Sequence, residues 1–227
     1  DGDLDLATMG TSGDVPLFYG NDGDGNFSLL DISIDEFYLG DLEFFDFDND
    51  GDEDLLVTGL IGDWSHTTQL YENHGNANFS EVEDDGFMDL SGGIIHSIDI
   101  DVDGDLDIFL TGAVNSIENP EFIRKSGFYL NDGEGAFTEL ADQPFIGAVQ
   151  GSVGFDDING DGFIDVFMTG NVSIPAFGIS RLYINSGDNL SFQQRVEKDE
   201  ILLSPNPSNE VVNLSGISQG SRLRIFD

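Results

Sequence analysis

The 227 residues predict an all-β protein assembled from repeated four-stranded units. Three observations predict it. An acidic, glycine-containing loop recurs along the chain. A short apolar strand follows each copy. An aromatic strand closed by Asn and Gly follows that. Helical periodicity is nowhere sustained, which excludes a helical solenoid.

The loop is clearest at Asp99-Ile-Asp-Val-Asp-Gly-Asp-Leu-Asp107, with acidic residues at positions 1, 3, 5, 7 and 9 and glycine at position 6. It recurs as Asp46-Phe-Asp-Asn-Asp-Gly-Asp-Glu-Asp54 and, with one Asn, as Asp157-Ile-Asn-Gly-Asp-Gly-Phe-Ile-Asp165. The sequence opens within a fourth copy, Asp1-Gly-Asp-Leu-Asp5. Alternating oxygen-bearing side chains around a tight turn suit a hard cation such as Ca²⁺, which takes about 6–8 oxygen ligands. In the central copy Asp99, Asp101, Asp103 and Asp107 are the expected side-chain ligands, and position 7 offers its carbonyl. That accounts for Phe163 standing where the other copies have Asp52 and Asp105. The matching sets are Asp46, Asp48, Asp50 and Asp54, then Asp157, Asn159, Asp161 and Asp165. Starting the last copy at Asp156 instead would put Ile158 and Gly160 at ligand positions. The partial first copy contributes Asp1, Asp3 and Asp5. Gly51, Gly104 and Gly162 permit the sharp turn. A plain acidic turn is the competing reading, since Asp and Gly are common turn formers. Four copies of crowded carboxylates argue against it, because such groups repel unless a cation sits among them.

An EF-hand needs Glu at position 12 and flanking helices. Position 12 falls on Val57, Leu110 and Met168, and the segments after each loop are β-type: Leu55-Leu-Val-Thr58, Ile108-Phe-Leu-Thr111 and Val166-Phe-Met-Thr169. The loops therefore sit between strands.

Each unit continues alike. The apolar strand ends at Gly10, Gly59, Gly112 or Gly170. The aromatic strand follows, as in Leu70-Tyr-Glu-Asn73 and Phe128-Tyr-Leu-Asn131, then a Gly-rich turn and a strand opening on Phe27, Phe79, Phe137 or Phe192. Such turns between apolar runs are hairpin signals. A short segment, Leu42–Phe45, Ile94–Ile98 or Ser152–Phe155, then leads into the next loop. Four antiparallel strands per unit of about 50 residues describe a β-propeller blade. The predicted blades lie near 1–40, 41–92, 93–148 and 149–198, in a domain spanning 1–198. Over 199–227 the pattern stops, and a Pro-Asn-Pro turn with alternating apolar residues predicts the start of a small β-sandwich.

Net charge is −38, and no basic residue precedes Arg124. Such a surface repels nucleic acid and anionic membranes, so neither is an expected partner, and no apolar run is long enough for membrane insertion. Without cysteine there is neither disulfide framework nor thiol chemistry. The opening inside a motif reads as a fragment. His66, His74 and His96 show no zinc spacing and are expected to be structural or solvated. No nucleophile elbow or phosphate loop is present, and no carboxylate pair stands apart from the cation loops, so no catalytic residue is assigned. Trp64 is expected to pack over a blade edge, with sugar stacking as the alternative. The variable segment from Ala113 to Ser126 carries the first basic residues and is a candidate contact loop.

The acidic loops with their trailing strands, and the Leu/Phe-Tyr-x-Asn-x-Gly turns, resemble FG-GAP/VCBS repeats over residues 1 to about 196. These are calcium-binding blades of propellers similar to the head of integrin α chains. The resemblance implies Ca²⁺ in the three complete loops and the truncated first one, a ring of about seven blades, and no catalytic residues. The segment Ser204-Pro-Asn-Pro-Ser-Asn-Glu-Val-Val-Asn-Leu214 resembles the start of a type IX secretion C-terminal sorting domain of Bacteroidota. It implies export to the medium or cell surface, with that secretion machinery as a partner. The expected function is a non-catalytic, calcium-stabilised adhesion module binding an extracellular glycan or surface protein. The alternative is an accessory propeller of a secreted hydrolytic enzyme whose catalytic domain lies upstream.

Overall fold

The computed structural model describes residues 2–10, 16–116, 119–172, 178–187 and 190–194. Among the described residues four antiparallel sheets form and no helix. The first sheet has β1 (Leu6–Thr8), β2 (Leu17–Asn21) and β3 (Phe27–Leu30). The second has β4 (Tyr38–Phe45), β5 (Asp54–Leu60), β6 (His66–Asn73) and β7 (Phe79–Glu81). The third has β8 (Ser91–Ile98), β9 (Asp107–Ser116), β10 (Asn119–Asn131) and β11 (Phe137–Glu139). The fourth has β12 (Val149–Asp156), β13 (Asp165–Asn171), β14 (Gly178–Asn185) and β15 (Phe192–Gln194). Strands pair in sequence order within each sheet, as in a β-propeller blade. The innermost strands β4, β8 and β12 lie side by side in succession.

The continuous apolar runs follow from this stacking. Successive side chains on a strand face opposite ways, so a strand between two sheets needs apolar residues at every position. Leu55 and Val57 pack with Phe18 of the first sheet, while Leu56 packs with Ile95, Ile108 and Leu110 of the third. On β9, Ile108 and Leu110 face back to Leu56 and Leu70, while Phe109 faces forward to Val166, Met168 and Tyr183. The core is a series of layers between consecutive sheets.

The inner strands run three or four residues further toward the N-terminus than their apolar segments predict. A bulge near the start of each explains why. Leu39, Gly92 and Gln150 have φ of 54°, 62° and 52°, and the pairing register shifts there. The next residue is Gly40, Gly93 or Gly151, where a β-carbon would run into the carbonyl of Thr58, Thr111 or Thr169. Two of these threonines also tie sheets together. Thr58 Oγ1 donates to Leu90 O at 2.7 Å, and Thr111 Oγ1 donates to Ala148 O at 2.7 Å.

Two expectations fare differently. Trp64 does not pack over a blade edge: it is 69% exposed at the β5–β6 hairpin, with φ 66°. The hairpin's short reversal, in which Trp64 N–H donates to Ile61 O, turns the ring outward. The expected β-sandwich at 199–227 lies outside the described residues.

Candidate metal centre

The three complete loops fold alike. The position-1 carboxylate accepts at least two backbone N–H groups of the turn. Asp46 takes those of Asp50 and Gly51, Asp99 those of Asp103 and Gly104, and Asp157 those of Asp161 and Gly162. The position-3 oxygen of Asp48, Asp101 or Asn159 accepts the N–H of position 5. The position-5 carboxylate of Asp50, Asp103 or Asp161 accepts the N–H of position 7. Two residues per loop are left-handed, which makes the turn tight: Asn49, Val102 and Gly160 at position 4, and Gly51, Gly104 and Gly162 at position 6.

Position 9 is different. Asp54, Asp107 and Asp165 are buried, and each uses both oxygens on backbone donors. Asp107 Oδ2 accepts Ile100 N–H at 3.0 Å and Oδ1 accepts Asn131 N–H at 2.8 Å. Asp54 does the same with Phe47 and Asn73, and Asp165 with Ile158 and Asn185. This residue staples the loop to the aromatic strand of its own blade.

The Asn at the end of that strand completes the staple. Its Oδ1 accepts the N–H of the turn glycine two residues on, at Gly23, Gly75, Gly133 and Gly187. Its Nδ2 donates to the loop's position-8 carbonyl, Glu53 O from Asn73 and Leu106 O from Asn131. Asn131 also reaches Phe47 O in the preceding blade's loop at 2.8 Å. The recurring Tyr-x-Asn-x-Gly pattern is the available signal, but as a turn motif it discloses the hairpin and neither of these Asn side-chain bonds.

Position 7 turns away from the other side chains and lies over that glycine. A β-carbon at Gly187 would strike the Phe163 ring, and one at Gly133 would strike Asp105. Asp52 and Asp3 lie over Gly75 and Gly23 in the same way. Asp105 Oδ1 also accepts from Asn49 Nδ2 at 2.8 Å, linking consecutive loops.

One oxygen from each of Asp46, Asp48 and Asp54 lies within 4.8 Å of the others, and the same holds for Asp99, Asp101 and Asp107. Neither group extends to the position-5 residues Asp50 and Asp103. In the first loop Asp5 accepts Asn21 N–H at 2.8 Å, Asp3 is exposed, and Asp1 lies outside the described residues. Burial, with the charges of Asp101 and Asp103 added, pushes Asp107 up to about 6. Burial, with Asp48 and Asp50 added, does the same to Asp54. Burial also raises Asp101 and Asp165, whereas the turn N–H groups hold Asp157 below the usual carboxylate range. The donors are all oxygen, hard and anionic, so the set fits a hard divalent cation and not a thiolate- or imidazole-seeking metal.

The histidines take no part. His66 Nδ1 bonds Ser91 Oγ at 2.9 Å, His74 Nε2 bonds Ser80 Oγ at 2.8 Å, and His96 packs edge-on to Phe155.

Stacked four-stranded blades with an acidic loop opening the second strand define a β-propeller repeat protein. The model of the FG-GAP-like repeat matches residues 46–110 and 99–168. Together these cover more than half of the chain, which belongs to this family. The structure is similar to that of an Agrocybe aegerita lectin described for specific recognition of non-reducing terminal N-acetylglucosamine. The TM-score is 0.52 at 18% identity, covering 86% of this chain and 49% of that one. The chain thus spans about half the length of the structure it matches. No curated protein matches the sequence.

Proposed function

We propose that the chain is a calcium-stabilised binding module that presents loops to an extracellular glycan or protein. The observation that carries the calcium reading is the repeated convergence of positions 1, 3 and 9, in the second and third blades, with the position-7 side chain lying over the turn glycine instead. Asp46, Asp48 and Asp54 would hold one ion with Asp50 at its rim, and Asp99, Asp101 and Asp107 a second with Asp103 at its rim. Asp157, Asn159 and Asp165 would hold a third with Asp161 at its rim. Bound Ca²⁺ neutralises carboxylates that otherwise repel, so it acts on folding and not on chemistry. Affinities of extracellular calcium modules, about 10⁻⁴–10⁻³ M, suit a secreted or surface-displayed location. The resemblance of 204–214 to a sorting domain supports type IX export. A non-catalytic role fits a family built on repeated binding loops.

Glycan binding is favoured by Trp64, which presents an exposed ring at a hairpin tip, and by the fold shared with a lectin. Isothermal titration with Ca²⁺ should give three sites per chain and no heat from equimolar Mg²⁺. A glycan array probed in calcium should then report binding that Trp64→Ala reduces without changing the melting midpoint. An array without signal, together with no calcium heat, removes the reading.

A further inference from the structure

Asn159 stands at position 3 of the fourth-blade loop, where the other complete loops carry Asp48 and Asp101. It precedes Gly160, and no other asparagine of the 227 residues precedes a glycine. Such a pair is the setting in which an asparagine side chain is most reactive. A glycine nitrogen has no adjoining β-carbon to screen it, so it can close on the side-chain carbonyl of the residue before it. The pair is openly presented. Asn159, Gly160 and Asp161 are exposed in the loop between β12 and β13. Gly160 has φ of 79°, and a β-carbon there would meet nothing within 4 Å.

Other asparagines around the loops have their amide groups tied down. Asn49 Nδ2 donates to Asp105, Asn73 Nδ2 to Glu53 O, and Asn131 Nδ2 to Phe47 O and Leu106 O. Asn159 Oδ1 accepts Asp161 N–H at 2.8 Å, while its Nδ2 donates to nothing among the described residues. The Gly160 N–H donates to Asp157 Oδ1 at 2.7 Å. These two bonds hold the pair in the closed loop and keep the Gly160 nitrogen from turning onto Asn159 Cγ. Reaction therefore requires the loop to open. Asp157 and Asn159 both belong to the cation set, so an ion bound there opposes that opening.

We propose that Asn159 is a self-modification site, which deamidates when the fourth-blade loop opens and is protected by a cation in that loop. Gly160 N attacks Asn159 Cγ to form a cyclic imide. The Cγ–Nδ2 bond breaks, and the nitrogen leaves as ammonia with the proton from Gly160. Water then opens the ring. Its addition at Cγ leaves an aspartate, and its addition at the main-chain carbonyl leaves an isoaspartate. The aspartate gives this loop the carboxylates at positions 1, 3, 5 and 9 that the loops of the second and third blades already have. The isoaspartate inserts a carbon into the main chain between positions 3 and 4 and breaks the ligand spacing. Both products add a negative charge to a crowded site. The protection rests on the calcium reading, whereas the reaction itself does not.

The test is peptide mapping by mass spectrometry on the full chain, aged in warm neutral buffer with chelator or with calcium. In chelator the peptide holding Asn159 should gain about one dalton before any other asparagine-bearing peptide does. Calcium at about ten times its dissociation constant for the loop should slow that gain about tenfold. Asn159→Gln should abolish the gain in both conditions. Asp161→Ala, at the rim of the same loop, should keep the reaction and lose most of the protection. Another asparagine reacting first in chelator, or no gain at Asn159, overturns the proposal. So does an equal rate with and without calcium in a chain whose melting midpoint calcium raises, although the calcium reading then survives. If calcium changes neither the rate nor the midpoint, the calcium reading falls together with the protection.

Discussion

Asp107 commits both carboxylate oxygens to its own blade's backbone while lying beside Asp99 and Asp101. It therefore has a buried structural role that Asp103, which accepts a single N–H at the exposed rim, lacks. Asp107→Ala strands two N–H groups at a cost of roughly 1–3 kcal/mol each, so it should lower stability in chelator as well as in calcium. Asp103→Ala should lower it in calcium only, and denaturant melts in both conditions separate the two. The pH response follows from the carboxyls pushed up to about 6. An unfolded Asp titrates near 3.9. A raised folded value means that protonation favours the folded, metal-free chain. That stabilisation is full below about pH 4 and is lost as pH rises through about 6. In chelator the melting midpoint should fall between about pH 5 and pH 7.5, while the gain from calcium should grow over the same interval; a chelator midpoint that rises instead contradicts the burial of these groups. Val102 adds a third case. A β-branched residue at φ 64° is strained where the last loop has Gly160. Val102→Gly should raise stability by about 1 kcal/mol. At this scale the ligand spacing was legible, because period-two acids around a glycine leave few alternatives. The double duty of position 9 was not, since an Asp reads the same whether it faces a cation or an amide.

The elements were legible where burial writes a pattern. The run Leu55-Leu-Val57 reads as a strand because both of its faces are covered, and the Asn-x-Gly turns read as hairpins because their glycines sit at positive φ. The inner strands were read short. Their first residues form a bulge, which breaks the alternation on which strand reading depends. The overlooked signal is the glycine at Gly40, Gly93 and Gly151, each pressed against a threonine carbonyl. Gly93→Ala should cost at least about 1–3 kcal/mol through overpacking, and circular dichroism melts would register it. An alanine variant as stable as the parent contradicts the close approach of β8 to β9.

For the molecule as a whole, the core lies between sheets and not within them, so each blade is stable through its neighbours. Phe47 and Ile100, at position 2 of their loops, are buried under the following blade, whereas the matching Ile158 on the fourth blade is 52% exposed. Leu6, Phe27 and Leu29 on the first sheet, and Leu4 just before it, are likewise exposed. Leu56→Ala, between the second and third blades, should therefore cost about 2–5 kcal/mol and lower one shared transition instead of splitting off a single blade. The repeat and its charge were visible in the residues, since four copies of one pattern and a net charge of −38 need no coordinates. The measurement closest to the central claim is thermal unfolding of the chain with calcium, with magnesium and with chelator at neutral pH. A large rise in midpoint specific to calcium, partly removed by Asp103→Ala, is expected. Equal effects of calcium and magnesium, or none from either, would contradict it and leave the acidic loops as turns.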